Sequence, residues 1–405
     1  MKSVRARPEA SLFFLSAIAF AGIEPAAREL LSRMGVTGQS FSAFVQRVNA
    51  QTAEREREGE GDHLIYYVLQ SKQFTSATPI EPALSAKAFV ETGSVPAPVL
   101  RRFQDFLSVR VAGDRLIYLR GMIPSTGGLA FLKTEYARAM RSLYAKEFES
   151  KPGFYQTRGH STDTQVPANY AVWTALSALH AEHPGLTLNR VLVVGPGLDF
   201  APRTGLDDRF PPQSYQPYAI VDALLSTGLS AKPAVHCVDI NDRVVRFLRQ
   251  KPGVLHLTSP PGDADYLAYF RELGAKIGTA KEQGIFEKEL VLKKEIAESV
   301  TAEKANIITE YPAGPPASYD LVVATNVLLY FSDAELLLAL SNIAASLRRG
   351  AFLLHNEMRP NMETLLAAAG LVTVESRSVR VASGSKAALY DVFNLVQKRG
   401  VTPQR

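Results

Sequence analysis

The feature that most restricts the fold is a change of period about halfway along the chain. Val191-Leu192-Val193-Val194 is a continuous β-branched run that ends in Gly195-Pro196-Gly197, and runs of the same kind follow at 234–238, 305–309, 321–324 and 351–354, with helical segments between most of them. Strands apolar on every residue are buried on both faces, so the pattern predicts an α/β fold with a parallel sheet between layers of helix. The chain then changes again. A short helix over 361–369 stops at Gly370, and 371–381 and 387–396 read as strands joined by the turn Ser383-Gly384-Ser385-Lys386. So tight a connection makes the last pair antiparallel.

The first part of the chain is mainly helical. Helices are expected from Pro25 to Gly35, from Phe41 to about Arg57, over 99–107 and over 133–148, whereas 63–69 fits either helix or strand. Glu54-Arg55-Glu56-Arg57-Glu58 alternates in sign and reads as a solvated helix face. The polar, turn-rich stretch 151–165 follows directly and is the expected boundary, dividing the chain into 23–150 and 151–400. Two stretches exceed a minimal α/β unit: an insertion over 198–214, and the long region 254–301. The mixed-sign residues 281–304 read as a surface helix pair.

Composition excludes other classes. With 405 residues, 46% apolar and 21% charged, the chain is long enough for two or three domains and unlike a disordered or coiled-coil sequence. Its net charge of +5 is dispersed, with no basic run of the kind that binds nucleic acid. A single cysteine, Cys237, allows no intrachain disulfide and no CxxC site, and it reads as a buried strand residue. Lys2, Arg5 and Arg7 before the apolar run 10–21 have the parts of an export signal, interrupted by Pro8 and Glu9; a buried helix is the other reading. No run reaches the ~18 apolar residues of a membrane span.

The candidate chemistry lies at the strand ends. Gly195 and Gly197 close the first strand, where a parallel sheet lets a ligand approach the backbone, although tight structural turns use glycine too. The second strand ends at Asp239-Ile240, an acidic position suited to the two hydroxyls of a ribose or to capping the next helix. Asn326 and Tyr330 follow the fourth strand, where an amide and a ring can position a reacting group or serve as cap and core. Glu310, His355 and Glu357 stand at other strand ends. The seven histidines show no metal spacing.

The run Tyr319-Asp320-Leu-Val-Val-Ala-Thr-Asn326-Val-Leu-Leu-Tyr330-Phe331, with Leu347-Arg-Arg-Gly350 after it, resembles class I S-adenosylmethionine-dependent methyltransferases. It is most similar to the chemotaxis-receptor glutamate methyltransferases (CheR), and Gln216-Pro217-Tyr218-Ala219 is similar to that family's Glu-Pro-Tyr-Ser. The resemblance covers about 155–398. It implies a Rossmann-like sheet, S-adenosyl-L-methionine as cofactor beside Gly195, Gly197, Asp239 and Ile240, and Asn326 beside the reactive methyl. Asp199 stands where the third glycine is usual and is the substitute for a carboxylate replaced by Val193; Arg158 is the expected partner of the methionine carboxylate. The resemblance implies a methyltransferase located inside cells, acting on a small molecule or a protein carboxylate, with Asn326 and Tyr330 as its catalytic residues. A nicotinamide-dependent oxidoreductase and a non-catalytic binding module are the rival readings.

Overall fold

The computed structural model describes residues 20–110, 113–149, 153–164, 166–199, 210–259, 262–284, 286–383 and 388–400. Most of the signal-like segment, most of the 198–214 insertion and the turn at 384–387 lie outside these residues.

The N-terminal part consists of α1 (Pro25–Arg33), α2 (Phe41–Gln70), α3 (Pro82–Thr92), α4 (Ala97–Ser108), α5 (Asp114–Arg120) and α6 (Gly128–Tyr144). The ambiguous run 63–69 is therefore helix, and it belongs to the same 30-residue α2 that begins at Phe41. After α7 (Phe154–Thr157) and α8 (Val166–Glu182) come β1 (Arg190–Val194), α9 (Gln216–Thr227), β2 (Ala234–Asp239), α10 (Asp242–Arg249) and β3 (Val254–Thr258). The chain continues through α11 (Ala264–Glu272), β4 (Gly278–Gly284), β5 (Glu287–Leu292), α12 (Lys294–Ser299), β6 (Val300–Lys304), β7 (Tyr319–Ala324), α13 (Asp333–Ser346), β8 (Leu347–His355), α14 (Met362–Ala368), β9 (Leu371–Ser383) and β10 (Ala388–Lys398).

The main sheet has the order β6-β2-β1-β7-β8-β10-β9. Its first five strands are parallel, and β10 runs antiparallel to both β8 and β9. This is the parallel sheet with an antiparallel C-terminal hairpin that the sequence implied. Alternate residues separate its faces. Leu192, Val194, Val322 and Leu353 join one core with α1, α13 and the start of α2, whereas Val191, Val193, Cys237 and Leu321 join the other with α8, α9 and the end of α2.

Two expectations are corrected. The third parallel strand is β6, not 305–309. It pairs with β2 from Val235↔Val300 to Asp239↔Lys304, and then Asn306 turns the chain by accepting from the Ile308 N–H at 3.1 Å. As an outer strand, β6 mixes buried and exposed residues instead of presenting a continuous apolar run. The region 281–304 is not a helix pair: β4 and β5 form a separate antiparallel sheet with β3, and α12 is the one helix in it. The inward residue that disguises β5 is Lys288, whose Nζ donates to the carbonyls of Phe270, Arg271 and Leu273 at the end of α11.

Candidate active site

Strand order reverses at β1, with β2 to one side and β7 to the other. A crevice at the carboxyl ends of such strands is where open α/β sheets take ligands. Here Gly195, Gly197, Asp239, Ile240, Asn326 and Tyr330 all line it.

The glycine turn is required by close packing. Both residues have left-handed φ, +63° and +68°. A Cβ on Gly195 would lie 2.5 Å from Val327 Cγ2, and one on Gly197 2.5 Å from the Thr162 carbonyl oxygen. The segment 160–164 runs beside this turn, with the Leu198 N–H donating to the Thr162 oxygen at 2.7 Å and the Thr164 N–H to the Leu198 oxygen at 2.8 Å.

Asp239 is buried, and its carboxylate accepts from the Gly197 N–H at 3.3 Å and the Asn241 N–H at 2.8 Å. Burial outweighs these hydrogen bonds and pushes its pKa up to about 6. The cap of α10 is Asn241, which accepts from the Arg243 N–H, so Asp239 does not have that role. Glu56 of α2 is raised to about 7, by burial first and then by Glu60, with Asp239 among the further contributors.

At the other end of the crevice, Asn326 adopts φ +59°. Tyr330 is buried, its ring edge-on to His160 at 5.4 Å and to Tyr155 at 5.8 Å, and its hydroxyl hydrogen-bonded to Ser161. Burial raises its phenol above the ordinary tyrosine range. His160 Nε2 and Thr162 Oγ1, both on crevice-lining residues, are buried without a hydrogen-bond partner among the described residues. Burial, and then the charges of Arg55 and Arg158, push the His160 pKa down to about 3, so its imidazole is neutral.

Two of the expected residues do not line the crevice. Asp199 accepts from the Gln213 N–H and faces Arg115 at 3.6 Å, while Arg158 lies 3.5 Å from the buried Asp62 carboxylate and over the rings of Phe154 and Tyr155. Glu310 accepts from the Asn306 N–H at 2.7 Å and is likewise outside the lining.

The sequence reading missed α2 and 160–164 as walls. Arg55 is not solvated: its guanidinium donates to the carbonyls of Arg158 (2.8 Å), Tyr155 (2.8 Å) and Tyr330 (3.0 Å), tying α2 to both neighbouring segments. Its own carbonyl accepts from the His160 N–H at 2.7 Å. The available signal was Gly59 and Gly61 inside a helical pattern, since mid-helix glycine costs stability unless something packs there. Thr52 of α2 lines the crevice, and Asn306 Nδ2 donates to it and to Asn49. Among the described residues no three His, Cys, Asp or Glu side chains are placed to hold a metal, and no helix is long and apolar enough to cross a membrane.

No family model matches the chain, and no curated protein matches it. Among solved structures it is similar to the N-methyltransferase NodS from Bradyrhizobium japonicum WM9, with 12% identity, TM-score 0.32, and coverage of 58% of this chain and 98% of that one. It is also similar to magnesium protoporphyrin IX methyltransferase (ChlM) from Synechocystis PCC 6803 with bound SAM, at 15% identity and TM-score 0.32, covering 71% of this chain and all (100%) of the other. A third is the Burkholderia thailandensis 1,6-didemethyltoxoflavin-N1-methyltransferase, at 16% identity and TM-score 0.29, covering 57% of this chain and 79% of that one.

Proposed function

We propose that the chain is an S-adenosylmethionine-dependent methyltransferase. The observation that carries this reading is one continuous crevice at the switch point of the sheet, with the Asp239 carboxylate at one end, a glycine turn along its floor and Asn326 at the other end. Asp239 and the adjoining Ile240 suit a nucleoside: the carboxylate accepts from two ribose hydroxyls while the apolar side chain meets the base. Gly195 and Gly197 admit the methionine part close to the backbone. His160 Nε2 and Thr162 Oγ1, buried and unpartnered, are polar groups that a bound ligand satisfies there. The cofactor supplies an electrophilic methyl group, and the protein's task is then alignment with an acceptor. Gln216 Nε2 donates to Thr325 Oγ1 at 3.1 Å, so the motif that resembles the chemotaxis-receptor enzymes braces the residue before Asn326.

Calorimetric titration with S-adenosylhomocysteine and, separately, NADH tests the reading. Saturable binding of the first, lost in Asp239→Ala, is expected. Binding of NADH alone would overturn it.

A further inference from the structure

Resting on that reading, we infer that the N-terminal helical part of the chain reads the cofactor's base: the Thr52 hydroxyl of α2 donates a hydrogen bond to a ring nitrogen of the adenine. One backbone donor fixes the direction of the bonds around Thr52. The Ile308 N–H lies 3.1 Å from a side-chain atom of Asn306, which must therefore be the carbonyl Oδ1. The other atom is then Asn306 Nδ2, and it donates to Asn49 Oδ1 at 3.0 Å and to Thr52 Oγ1 at 3.2 Å. Asn49 Oδ1 accepts from Thr309 Oγ1 as well, at 2.7 Å. Thr52 Oγ1 is thus an acceptor in this network, and its own O–H proton has no acceptor among the described residues. Thr52 is buried and lines the crevice.

The second lone pair of Oγ1 can stay unused at little cost, whereas a buried proton without an acceptor is expensive, so what binds here has to bring an acceptor. Ala305, Ile307 and Ile308 line the crevice on the same side as Asn306, and Ile240 lines it beside Asp239. Apolar walls of this kind suit the flat face of a purine better than a sugar. The ribose hydroxyls belong instead with the Asp239 carboxylate, an acceptor for their protons. Within the adenosine, the ring nitrogens are acceptors that carry no proton of their own, which is what the Thr52 hydroxyl lacks.

The segment after β6 has no side chain left for this task. Asn306 is its polar residue in the crevice lining, and both ends of its amide are spent on Ile308, Asn49 and Thr52. Glu310 is turned back onto the Asn306 N–H at 2.7 Å and is not in the lining. The donor comes instead from α2, an element that precedes the α/β unit in the chain. Its placement is held on two sides, by Asn306 at Thr52 and by the three carbonyls that Arg55, one turn further along, receives from Tyr155, Arg158 and Tyr330.

The test measures binding to the full chain by calorimetry, with S-adenosylhomocysteine and three analogues in which N1, N3 or N7 of the adenine is replaced by C–H. In the unaltered protein one analogue is expected to bind about fivefold or more weakly than the other two, the worth of one neutral hydrogen bond to a buried group. Thr52→Val removes the hydroxyl at nearly constant shape but also leaves Asn306 Nδ2 short of an acceptor, so the diagnostic quantity is the ratio between analogues and not the affinity itself. That ratio should fall to about one in Thr52→Val and persist in Thr52→Ser. Equal binding of the three analogues by the unaltered protein, as a contact to a ribose hydroxyl would give, overturns the inference while leaving cofactor binding intact. A ratio that survives Thr52→Val overturns it too. Should that variant not fold, Thr52→Ala takes its place, and the comparison of analogues in the unaltered protein stands alone. Failure of S-adenosylhomocysteine to bind at the outset overturns the underlying functional reading instead, and the inference with it.

Discussion

Replacement of Gly59 by alanine sets two physical effects against each other. In an exposed helix interior the change stabilises by about 1 kcal/mol, because alanine is the best helix former and glycine nearly the worst. Here a Cβ at Gly59 would overlap the His160 carbonyl oxygen and lie 2.5 Å from its carbon, and the Gly159 side of the crossing is equally tight, with a Cβ there 2.5 Å from the Gly59 nitrogen. Both partners are backbone, so no rotamer change relieves the contact. Overpacking of this kind costs about 1–3 kcal/mol. Pushing 160–164 away also loses the His160 N–H bond to Arg55 and strains the three that Arg55 makes, at about 1 kcal/mol for each bond broken. The net expectation is destabilisation of roughly 2–4 kcal/mol, a fall in melting temperature of several degrees. Because 160–164 is a wall of the crevice, S-adenosylhomocysteine affinity should fall by about tenfold or more. Thermal denaturation and calorimetry measure both. A melting temperature unchanged or raised, with affinity intact, would refute the reasoning and return Gly59 to an ordinary helix position.

Four further outcomes are expected. Cationic S-adenosylmethionine should bind more tightly as pH rises through about 6, where Asp239 ionises, and Asp239→Asn should flatten that dependence in a calorimetric pH series. Since the folded pKa of Asp239 lies above its ordinary 3.8, its contribution to stability without ligand is present below pH 4 and lost as pH rises to about 6, which urea titrations in Asp239→Asn and the unaltered protein should separate. Lys288→Met leaves three carbonyls at the end of α11 without their donor and should cost about 2 kcal/mol or more, whereas an unchanged urea midpoint would show that water replaces it. Arg55→Lys keeps the charge but not the three-carbonyl fork, and should weaken S-adenosylhomocysteine binding as measured by calorimetry more than it lowers the melting temperature.

The sheet was legible because its inner strands are buried on both faces, β7 at every residue and β1 at every residue after Arg190. The outer strand β6 was not, since half of it faces water and its pattern is that of polar sequence. Gly195, Gly197, Asp239 and Asn326 were readable from their places at strand ends, which local sequence fixes. His160 and Thr162 were not, because a turn-rich stretch becomes a wall only through contact with Arg55 and Leu198, distant in the chain. The alternating charges of 54–58 misled for the same reason. Local sign pattern cannot report that Arg55 meets three carbonyls or that Glu56 approaches Asp239.

The course of α2 has a mechanical consequence. Phe41, Phe44 and Val48 are embedded in the core on one face of the sheet, and Leu64, Ile65, Val68 and Leu69 in the core on the other, with the crevice-lining Thr52 between them. One rigid rod therefore bridges two interiors that the sheet otherwise keeps apart, passing beside the crevice at the strand ends. Loosening either interior transmits to the other through this rod, and a ligand gripped beneath its midpoint fastens both. Amide-exchange protection gained on ligand binding should thus extend to both ends of α2, far beyond the residues the ligand touches.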